Sequence, residues 1–183
     1  TMLKQVMDHP DFDNTNLSSL ESLSYGAAPM PFPIIRRAIE SFPETTEFAN
    51  AFGLTETTST VCVLEPDDHK LTGTPQEIEK KIQRLKSVGR PLPGVDIAIL
   101  DENGHELHTN QTGYVFVRTD RSMKGYWKRP DASKDTIRNG WINTKDMGWI
   151  DEDGYLFLSG RSSDMIIRAG ENISPAEIED VLH

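Results

Sequence analysis

The sequence predicts a mixed α/β fold, and three observations support this prediction. An amphipathic helical pattern covers residues 31–42, between a short apolar stretch at residues 20–25 and another that begins at Phe48. After residue 94 the hydrophobic period changes to two, which is typical of strands with one buried face. A chain of 183 residues can bury one sizeable core or two small ones. We therefore expect a helix packed on a sheet, followed by a β-rich part.

Composition limits the classes of function. The formal net charge is -10 and is spread along the chain, which argues against a surface that binds nucleic acid or anionic membranes. No apolar run approaches the length of a membrane-spanning helix, and the first residues lack the pattern of a signal peptide. We therefore predict a cytoplasmic protein without a transmembrane segment. Cys62 is the only cysteine, so the chain forms no internal disulfide, and we expect a buried thiol.

The first half of the chain is predicted to run as strand, loop, helix, strand. The strand at residues 20–25 leads into four small residues, which either let the backbone approach a flat ligand or form a plain tight turn. The helix over residues 31–42 ends before Pro43, and the next strand begins at Phe48. In α/β sheets ligands lie beyond the carboxyl ends of the strands, so both strand ends are candidate site positions. The four small residues are Gly26, Ala27, Ala28 and Pro29.

The stretch at residues 50–60 combines an apolar entry with one carboxylate and a run of hydroxyls. Such hydroxyl side chains compete for backbone hydrogen bonds and favour turns, so we predict a loop. This loop is able to present several donors and one acidic metal ligand, Glu56, to a phosphate; the alternative is a polar loop without chemistry. Its residues are Asn50, Ala51, Phe52, Gly53, Leu54, Thr55, Glu56, Thr57, Thr58, Ser59 and Thr60.

The second half is predicted to be a small β-rich subdomain, in the form of a distorted barrel. A solvated helix at residues 76–86 precedes it, and alternation at residues 95–99 predicts a strand that pairs with residues 114–117 across a turn at residues 101–104. Further strands are expected around both tryptophan-isoleucine pairs and at residues 155–158, after an acidic turn at residues 151–154. We expect no metal site in two other places. His105 and His108 are expected on opposite faces of a strand, and Asp151 and Asp153 lack the other ligands of a calcium loop.

The last part of the chain is expected to break the strand at residues 160–164, form a strand at residues 165–168 and turn at residues 169–172. Ser174, Pro175 and Glu177 match a capping box at the start of a helix. The packing partners of that helix are expected beyond His183, so we interpret the sequence as a fragment of a longer protein.

Seven short motifs follow one another along the chain. They are YGAAP at residues 25–29, FGLTE at 52–56, SVGRPLPG at 87–94, KGYWKRP at 124–130, WINTKDMG at 141–148, DGYLFLSGR at 153–161 and GENISPAEIE at 170–179. Together they resemble the adenylate-forming (AMP-binding) superfamily, which includes acyl-CoA synthetases, firefly-type luciferases and the adenylation domains of peptide synthetases. The resemblance covers nearly the whole chain and is closest in kind to an acyl-CoA synthetase.

The resemblance implies a reaction and its cofactors. Family members activate a carboxylic acid with ATP and Mg²⁺, giving an acyl-adenylate and pyrophosphate, and many then transfer the acyl group to coenzyme A. Glu56 matches the family's magnesium ligand, and Thr55 matches the hydroxyl that contacts the α-phosphate. Phe52 stands where the family usually has a tyrosine against the adenine ring. Because stacking needs only the ring, we expect this change to cost little.

The remaining site residues are also implied by the resemblance. Asp146 matches the carboxylate that binds both ribose hydroxyls, Arg161 matches the arginine on the ribose and phosphate side, and Ser163 matches the hinge of the small mobile C-terminal domain. Thr57 and Thr58 are expected to border the acyl pocket. The predicted ATP- or AMP-binding set is Gly26, Ala27, Ala28, Pro29, Asn50, Ala51, Phe52, Gly53, Leu54, Thr55, Asp146 and Arg161.

Some features depart from the family pattern. Lys145 replaces the glycine that usually precedes the ribose-binding aspartate, and Ser163 stands where aspartate or lysine is common at the hinge. The serine- and glycine-rich phosphate loop and the C-terminal catalytic lysine do not occur in this sequence. We therefore predict that the parent protein is an active ligase and that this part alone is inactive. The expected domain division is residues 1–86, 87–160 and 161–183.

Three interpretations remain open on the sequence. The chain belongs either to an acyl-CoA synthetase or to an adenylation domain that loads a carrier protein, and a non-catalytic nucleotide-binding relative is a third reading. The presence of Glu56, Asp146 and Arg161 together favours an enzyme. The residues near the expected acyl pocket suit fatty, aryl and small acids alike.

Overall fold

The computed structural model describes residues 2–27, 30–164, 166–168 and 171–173, and it has the predicted mixed α/β architecture. The two longest helices are those that the hydrophobic pattern predicts, and each begins with a proline in its first turn, where no amide hydrogen is needed. Three shorter helices were not predicted. The helices are α1 Met2–Met7, α2 Phe32–Ser41, α3 Pro66–His69, α4 Pro75–Arg84 and α5 Pro130–Thr136, with 3-10 turns at Phe12–Asn14 and Thr55–Thr57.

The described strands form two larger sheets and a short hairpin. The first sheet has the order β1-β2-β3-β4, and the second has the order β5-β6-β8-β7, with β9 also paired to β8; β10 and β11 form the hairpin. Their bounds are β1 Ser22–Gly26, β2 Glu47–Leu54, β3 Ser59–Leu64, β4 Arg90–Pro91, β5 Val95–Leu100, β6 Gly113–Thr119, β7 Ile137–Arg138, β8 Trp141–Ile150, β9 Leu156–Arg161, β10 Ile166–Arg168 and β11 Glu171–Ile173.

The helix α2 connects the parallel strands β1 and β2 and packs against them, as predicted. Its inward residues Ile35 and Ala38 are fully buried, and Phe48 of β2 lies in the same core cluster. Burying such apolar side chains stabilises the fold by about 1.5–3 kcal/mol for each large one. The unit of strand, helix and parallel strand therefore places the ends of β1 and β2 side by side, with Gly26 opposite Ala51.

The prediction of a loop over residues 50–60 is wrong for most of that stretch. Residues 50–54 belong to β2 and residues 59–60 to β3, and the two strands pair antiparallel from Asn50 opposite Leu64 to Leu54 opposite Ser59. The reason lies in the next residues, because Val61 and Leu64 are fully buried and hold β3 in the core. Tertiary burial outweighs the weak strand preference of serine and threonine here, and only residues 55–58 turn.

The second sheet confirms the predicted pairing of residues 95–99 with residues 114–117. Its central strand β8 is a single ten-residue strand that includes both tryptophan-isoleucine pairs. The predicted strand break at residues 160–164 is wrong at its start, since Gly160 and Arg161 continue β9 and pair with Met147 and Asp146. The sheet is therefore longer at this edge than the sequence suggested.

Both predicted acidic turns are confirmed, and they use the same chemistry. One oxygen of Asp101 accepts hydrogen bonds from the amides of Asn103 and His105 at 2.8 Å, and one oxygen of Asp151 accepts from the amide of Tyr155 at 2.8 Å. A carboxylate that binds amides two and four residues later closes such a turn. His105 follows the first turn and lies beside Asp101, so its expected place within a strand is wrong.

One core cluster joins the two sheets. It contains Val61 and Cys62 of β3 together with Val115, Val117 and Leu156 of the second sheet, and all five are fully buried. The predicted burial of Cys62 is thus confirmed, and desolvation raises the pKa of its thiol to about 12. Across the described part of the chain, no helix has the length and apolar character needed to cross a membrane.

Candidate functional site

The turn between β2 and β3 presents Thr55 and Glu56 at the surface of the first sheet. Thr57 is buried, and its hydroxyl lies 3.0 Å from the carbonyl oxygen of Leu54 and 3.1 Å from that of Ser59. Thr57 therefore holds the turn through the main chain. Thr55 is exposed and Glu56 is half-buried, so both side chains are accessible to a ligand.

Two glycines in the predicted nucleotide-binding set have a packing role that the structure explains. A Cβ on Gly53 would lie 2.0 Å from the carbonyl oxygen of Ser59, at a register shift in the β2–β3 pair. A Cβ on Gly26 would lie 2.2 Å from the carbonyl oxygen of Ala51. Both positions therefore require the absence of a side chain for strand pairing. Ala27 follows with a left-handed backbone, φ 66°, while Ala28 and Pro29 lie outside the described residues.

A second segment, residues 121–126, holds the Glu56 turn at three points. The amide of Met123 donates to the carbonyl oxygen of Glu56 at 2.8 Å, and the Thr58 hydroxyl donates to the carbonyl oxygen of Arg121. The hydroxyl of Tyr126 donates to Oε1 of Glu56 at 2.5 Å. This bond to a carboxylate raises the pKa of Tyr126, because it stabilises the protonated hydroxyl. We refer to residues 121–126 as the clamp segment.

The sequence reasoning did not assign Tyr126 to the site. The available signal was its place in the motif at residues 124–130, where it and Trp127 form an aromatic pair in an otherwise charged segment. The pair diverges in the structure, since Trp127 is 86% exposed whereas Tyr126 is only 37% exposed and reaches Glu56. Motif membership alone could not show which of the two rings turns toward the carboxylate.

Asp146 and Arg161 form an ion pair across the strands β8 and β9. Nε of Arg161 lies 3.1 Å from Oδ1 of Asp146, and Nη1 of Arg161 donates to the carbonyl oxygen of Thr144 at 2.9 Å. The Asp146 side chain is 10% exposed, whereas that of Arg161 is 55% exposed. Desolvation by burial raises the pKa of Asp146, although the charge of Arg161 and a hydrogen bond from Thr144 act in the opposite direction.

Lys145, which stands where the family usually has glycine, has a left-handed backbone with φ 67°. Its amide donates to Oδ1 of Asn143 at 2.9 Å, and its carbonyl oxygen accepts from the amide of Ser162 at 2.9 Å. The residue itself is exposed between the buried Thr144 and Asp146. The departure from glycine therefore leaves the neighbouring aspartate in its buried position and is accommodated in the main chain.

The contacts divide the predicted site residues into two groups. One group surrounds the β2–β3 turn, where Phe52 packs against the shared core and Glu56 meets the clamp segment. The other group is the Asp146 and Arg161 pair on the second sheet. The predicted hinge residue Ser163 is exposed, and its hydroxyl donates to Asp164 at 2.8 Å. The roles given to Thr57, Thr58 and Ser163 stay predictions.

The donor chemistry at Glu56 fits the expected Mg²⁺. Within the described ranges, no three histidine, cysteine, aspartate or glutamate side chains cluster as a metal site. Mg²⁺ is usually bound by one or two carboxylates together with substrate phosphates and water. A single accessible carboxylate next to the Thr55 hydroxyl is compatible with this arrangement. Two surface cavities of about 370 and 420 Å³ lie elsewhere, around Arg90, and include none of the predicted site residues.

Comparison with known proteins identifies the family. A family model described as AMP-binding enzyme matches residues 1–127. The chain belongs to the AMP-binding family. The resemblance seen in the seven sequence motifs is thereby confirmed.

The relatives that resemble this chain differ in the reaction that their names give. The fatty acid–[acyl-carrier-protein] ligase ScoC of Streptomyces coeruleorubidus is 35% identical over 181 residues, 99% of this chain and 33% of its own length. The amide bond synthetase McbA of Marinactinospora thermotolerans has a TM-score of 0.85 and 34% identity, and covers 98% of this chain and 34% of its own.

A third relative was solved with ligands. The structure of O-succinylbenzoate coenzyme A synthetase from Bacillus subtilis in complex with ATP and magnesium ion has a TM-score of 0.79 and 31% identity, and covers 99% of this chain and 34% of its own. The chain thus spans about a third of the length of these relatives. These similarities confirm the predicted fold class.

Proposed function

We propose that this chain is one part of a longer ligase, called the parent protein below, which activates a carboxylic acid with ATP and transfers the acyl group to coenzyme A. Membership of the AMP-binding family supports the nucleotide chemistry. The relatives support acid activation in general, because their names include ligases that use a carrier protein and coenzyme A.

In the proposed reaction the substrate carboxylate attacks the α-phosphorus of ATP, and the bond between the α-phosphorus and the bridging oxygen breaks. Pyrophosphate leaves with the electron pair, and an acyl-adenylate forms. The thiol of coenzyme A then loses its proton to solvent, and its sulfur attacks the acyl carbonyl carbon. The bond between that carbon and the phosphate oxygen breaks, and AMP leaves with the electron pair. Both steps bring negative groups together, so charge neutralisation carries much of the catalysis.

Each of the predicted site residues has its own role in the proposed reaction. Glu56 would hold Mg²⁺, which supplies charge neutralisation at the phosphates when bound, and the Thr55 hydroxyl would donate to the α-phosphate. Phe52 would form one side of the adenine slot, beside the small residues after β1. Asp146 would accept hydrogen bonds from the ribose hydroxyls, and Arg161 would both hold Asp146 and face the phosphate side. Thr57 and Thr58 would border the acid.

The observation that carries the proposal is the burial of the Asp146 carboxylate beside Arg161. A carboxylate whose desolvation outweighs its ion pair contributes little to folding. Its presence at a buried position is explained if it binds a ligand with two hydroxyls, such as ribose. Each hydrogen bond from a hydroxyl to this charged group is worth about 1.5–3 kcal/mol.

The second candidate is transfer of the acyl group to a carrier protein in place of coenzyme A. The 35% identity to an acyl-carrier-protein ligase favours it, since that likeness is as strong as the likeness to the coenzyme A synthetase. A carrier protein docks on a surface and brings its own thiol, so the adenylating residues serve both reactions equally. The hinge at Ser163, the division into residues 1–86, 87–160 and 161–183, and the cytoplasmic location also stay proposals.

The test is acid-dependent exchange of labelled pyrophosphate into ATP by the parent protein, with a panel of fatty, aromatic and small acids. Exchange with one acid class, and its loss in Glu56→Ala, would support adenylation and name the acid. Glu40→Ala, which removes a carboxylate from the outer face of α2, is the matched control and should exchange normally.

Further steps of the same experiment decide the acceptor. The adenylating protein is incubated with either coenzyme A or a phosphopantetheinylated carrier protein, and thioester formation is measured with each. Absence of exchange with every acid, in a folded protein that binds ATP, would refute the proposed function and favour a non-catalytic nucleotide-binding role. The isolated 183-residue chain is expected to show no exchange.

A further inference from the structure

We infer that Tyr126 is a positioning residue for Glu56, and that it fixes the carboxylate in the orientation that Mg²⁺ requires; this inference rests on the proposed function. The Tyr126 hydroxyl donates to only one of the two carboxylate oxygens, Oε1. The other oxygen, Oε2, is left to face a metal and its nucleotide. A hydrogen bond from a second residue to a metal-binding carboxylate is a general way of orienting such a ligand.

The main chain around Glu56 is fixed independently of Tyr126. The amide of Met123 binds the carbonyl oxygen of Glu56 at 2.8 Å, and the buried Thr57 holds the turn through its hydroxyl. These contacts set the position of the Glu56 backbone but leave its side chain free to rotate. A glutamate has three rotatable side-chain torsions, so an unrestrained carboxylate must be ordered when the metal binds. Tyr126 supplies that restraint beforehand.

Tyr126 is itself held by α5 through its main chain. Its amide donates to the hydroxyl of Ser133 in α5 at 2.8 Å, and that hydroxyl donates in turn to the carbonyl oxygen of Arg129. The main chain of Tyr126 is therefore fixed relative to α5, and the hydroxyl at the far end of its side chain meets Glu56. Rigid support is what a residue that orients another one needs.

The bond joins two parts of the chain that are 70 residues apart, and it brings α5 to the β2–β3 turn. This arrangement explains the motif at residues 124–130. Gly125 and Tyr126 precede Pro130, which begins the supporting helix α5. Glu56 is the single carboxylate within residues 50–64, so the bond from Tyr126 orients the only acidic side chain that this region offers to a metal ion.

The test is Tyr126→Phe in the parent protein, which removes one hydroxyl and keeps the ring. Binding of ATP is measured by calorimetry with and without Mg²⁺, and the apparent Mg²⁺ constant is measured in pyrophosphate exchange. We expect the variant to weaken the Mg²⁺-dependent part of ATP binding about tenfold, the lower end of the range seen for residues that orient metal ligands. ATP affinity without Mg²⁺ should stay unchanged.

Two further variants make the result specific. In Glu56→Gln the Tyr126→Phe change should have no further effect on Mg²⁺ dependence, because Tyr126 acts through the carboxylate. Tyr155→Phe is the matched control, since the Tyr155 hydroxyl donates to the carboxylate of Asp68 at 2.8 Å, away from the predicted site residues. It should lower thermal stability and leave Mg²⁺ dependence unchanged.

The inference is overturned if Tyr126→Phe leaves Mg²⁺ dependence as in the wild type, or if its effect persists in Glu56→Gln. A wild-type parent that binds ATP without any influence of Mg²⁺ would refute the proposed function as well, and the inference with it. The two failures can be told apart. The inference fails alone when the wild type shows clear Mg²⁺ dependence and the variants do not behave as expected, whereas the proposed function fails when the wild type itself shows no Mg²⁺ dependence.

Discussion

Replacing Asp146 with asparagine is expected to weaken nucleotide binding without lowering the stability of the fold. The substitution keeps the shape of the side chain and an acceptor oxygen, but it removes the charge. A hydrogen bond to a charged group is worth about 1.5–3 kcal/mol and one to a neutral group about 0.5–1.5 kcal/mol. Two ribose hydroxyls therefore lose about 2 kcal/mol together, which is roughly a 30-fold weaker affinity for AMP or ATP.

The effect on stability follows from the raised pKa of Asp146. Because desolvation raises the pKa in the folded state, the folded protein binds this proton more tightly than the unfolded chain does. The stability that this group contributes is fully present below the unfolded pKa and is lost as pH rises through the folded pKa. Asp146→Asn removes that loss, so the variant should be at least as stable as the wild type at neutral pH, with no advantage at about pH 3.

The partner of Asp146 does not reverse this expectation. Arg161 is 55% exposed, so water can solvate its guanidinium when the carboxylate is gone, and half-exposed ion pairs contribute little. Urea unfolding at neutral and acidic pH measures the stability, and AMP titration of the parent protein measures the affinity. The control is Asp96→Asn, which removes an exposed carboxylate paired with Arg118 at 2.8 Å and should change neither quantity.

Either of two results would refute the reasoning. If Asp146→Asn lowers the free energy of unfolding by more than about 1 kcal/mol at neutral pH, the ion pair outweighs the desolvation of the carboxylate. Unchanged affinity for AMP would mean that the carboxylate does not bind the ribose.

Three further predictions concern packing and backbone. Gly53→Ala should lower the free energy of unfolding by more than about 2 kcal/mol, because the added Cβ meets main-chain atoms. Gly104→Ala, with open space around it, should lower it by about 1 kcal/mol, and urea unfolding measures both. Lys145→Gly should stabilise the fold by up to about 1 kcal/mol, because glycine relieves the strain of a left-handed backbone. Lys134→Gly in α5 should destabilise the fold by about the same amount, and the prediction is wrong if both variants change the free energy of unfolding in the same direction. Cys62, fully buried with a thiol pKa of about 12, should react with a thiol reagent at pH 8 only after unfolding, and rapid labelling of the native chain would disprove its burial.

The parts of the fold that were predicted correctly are those whose signal is local. The pattern of α2 repeats every three to four residues, and its buried residues Ile35 and Ala38 lie where the pattern puts them. The turns at Asp101 and Asp151 are each closed by one carboxylate within five residues. Such interactions need no knowledge of distant chain segments.

The errors arose where a distant segment decides the structure. Residues 50–60 have the composition of a loop, but only residues 55–58 turn. The strands on either side depend on the burial of Val61 and Leu64, which is a property of the assembled core. Tyr126 was missed for the same reason, since its hydroxyl meets a carboxylate 70 residues away. Sequence motifs indicated both segments but could not pair them.

The pairing of Asp146 with Arg161 depends on an irregularity that no local pattern showed. From the turn at residues 151–154, β8 and β9 pair regularly until Gly148 opposite Leu158, and then the register shifts by one residue, so that Met147 lies opposite Gly160. Without this bulge Asp146 would lie opposite Gly160, and Arg161 would point to the other face of the sheet. Gly160 has φ 110°, a backbone conformation that favours glycine. The bulge therefore places the guanidinium on the same face as the carboxylate. One extra residue in β9 thus turns two positions separated in sequence into one candidate ribose-binding pair.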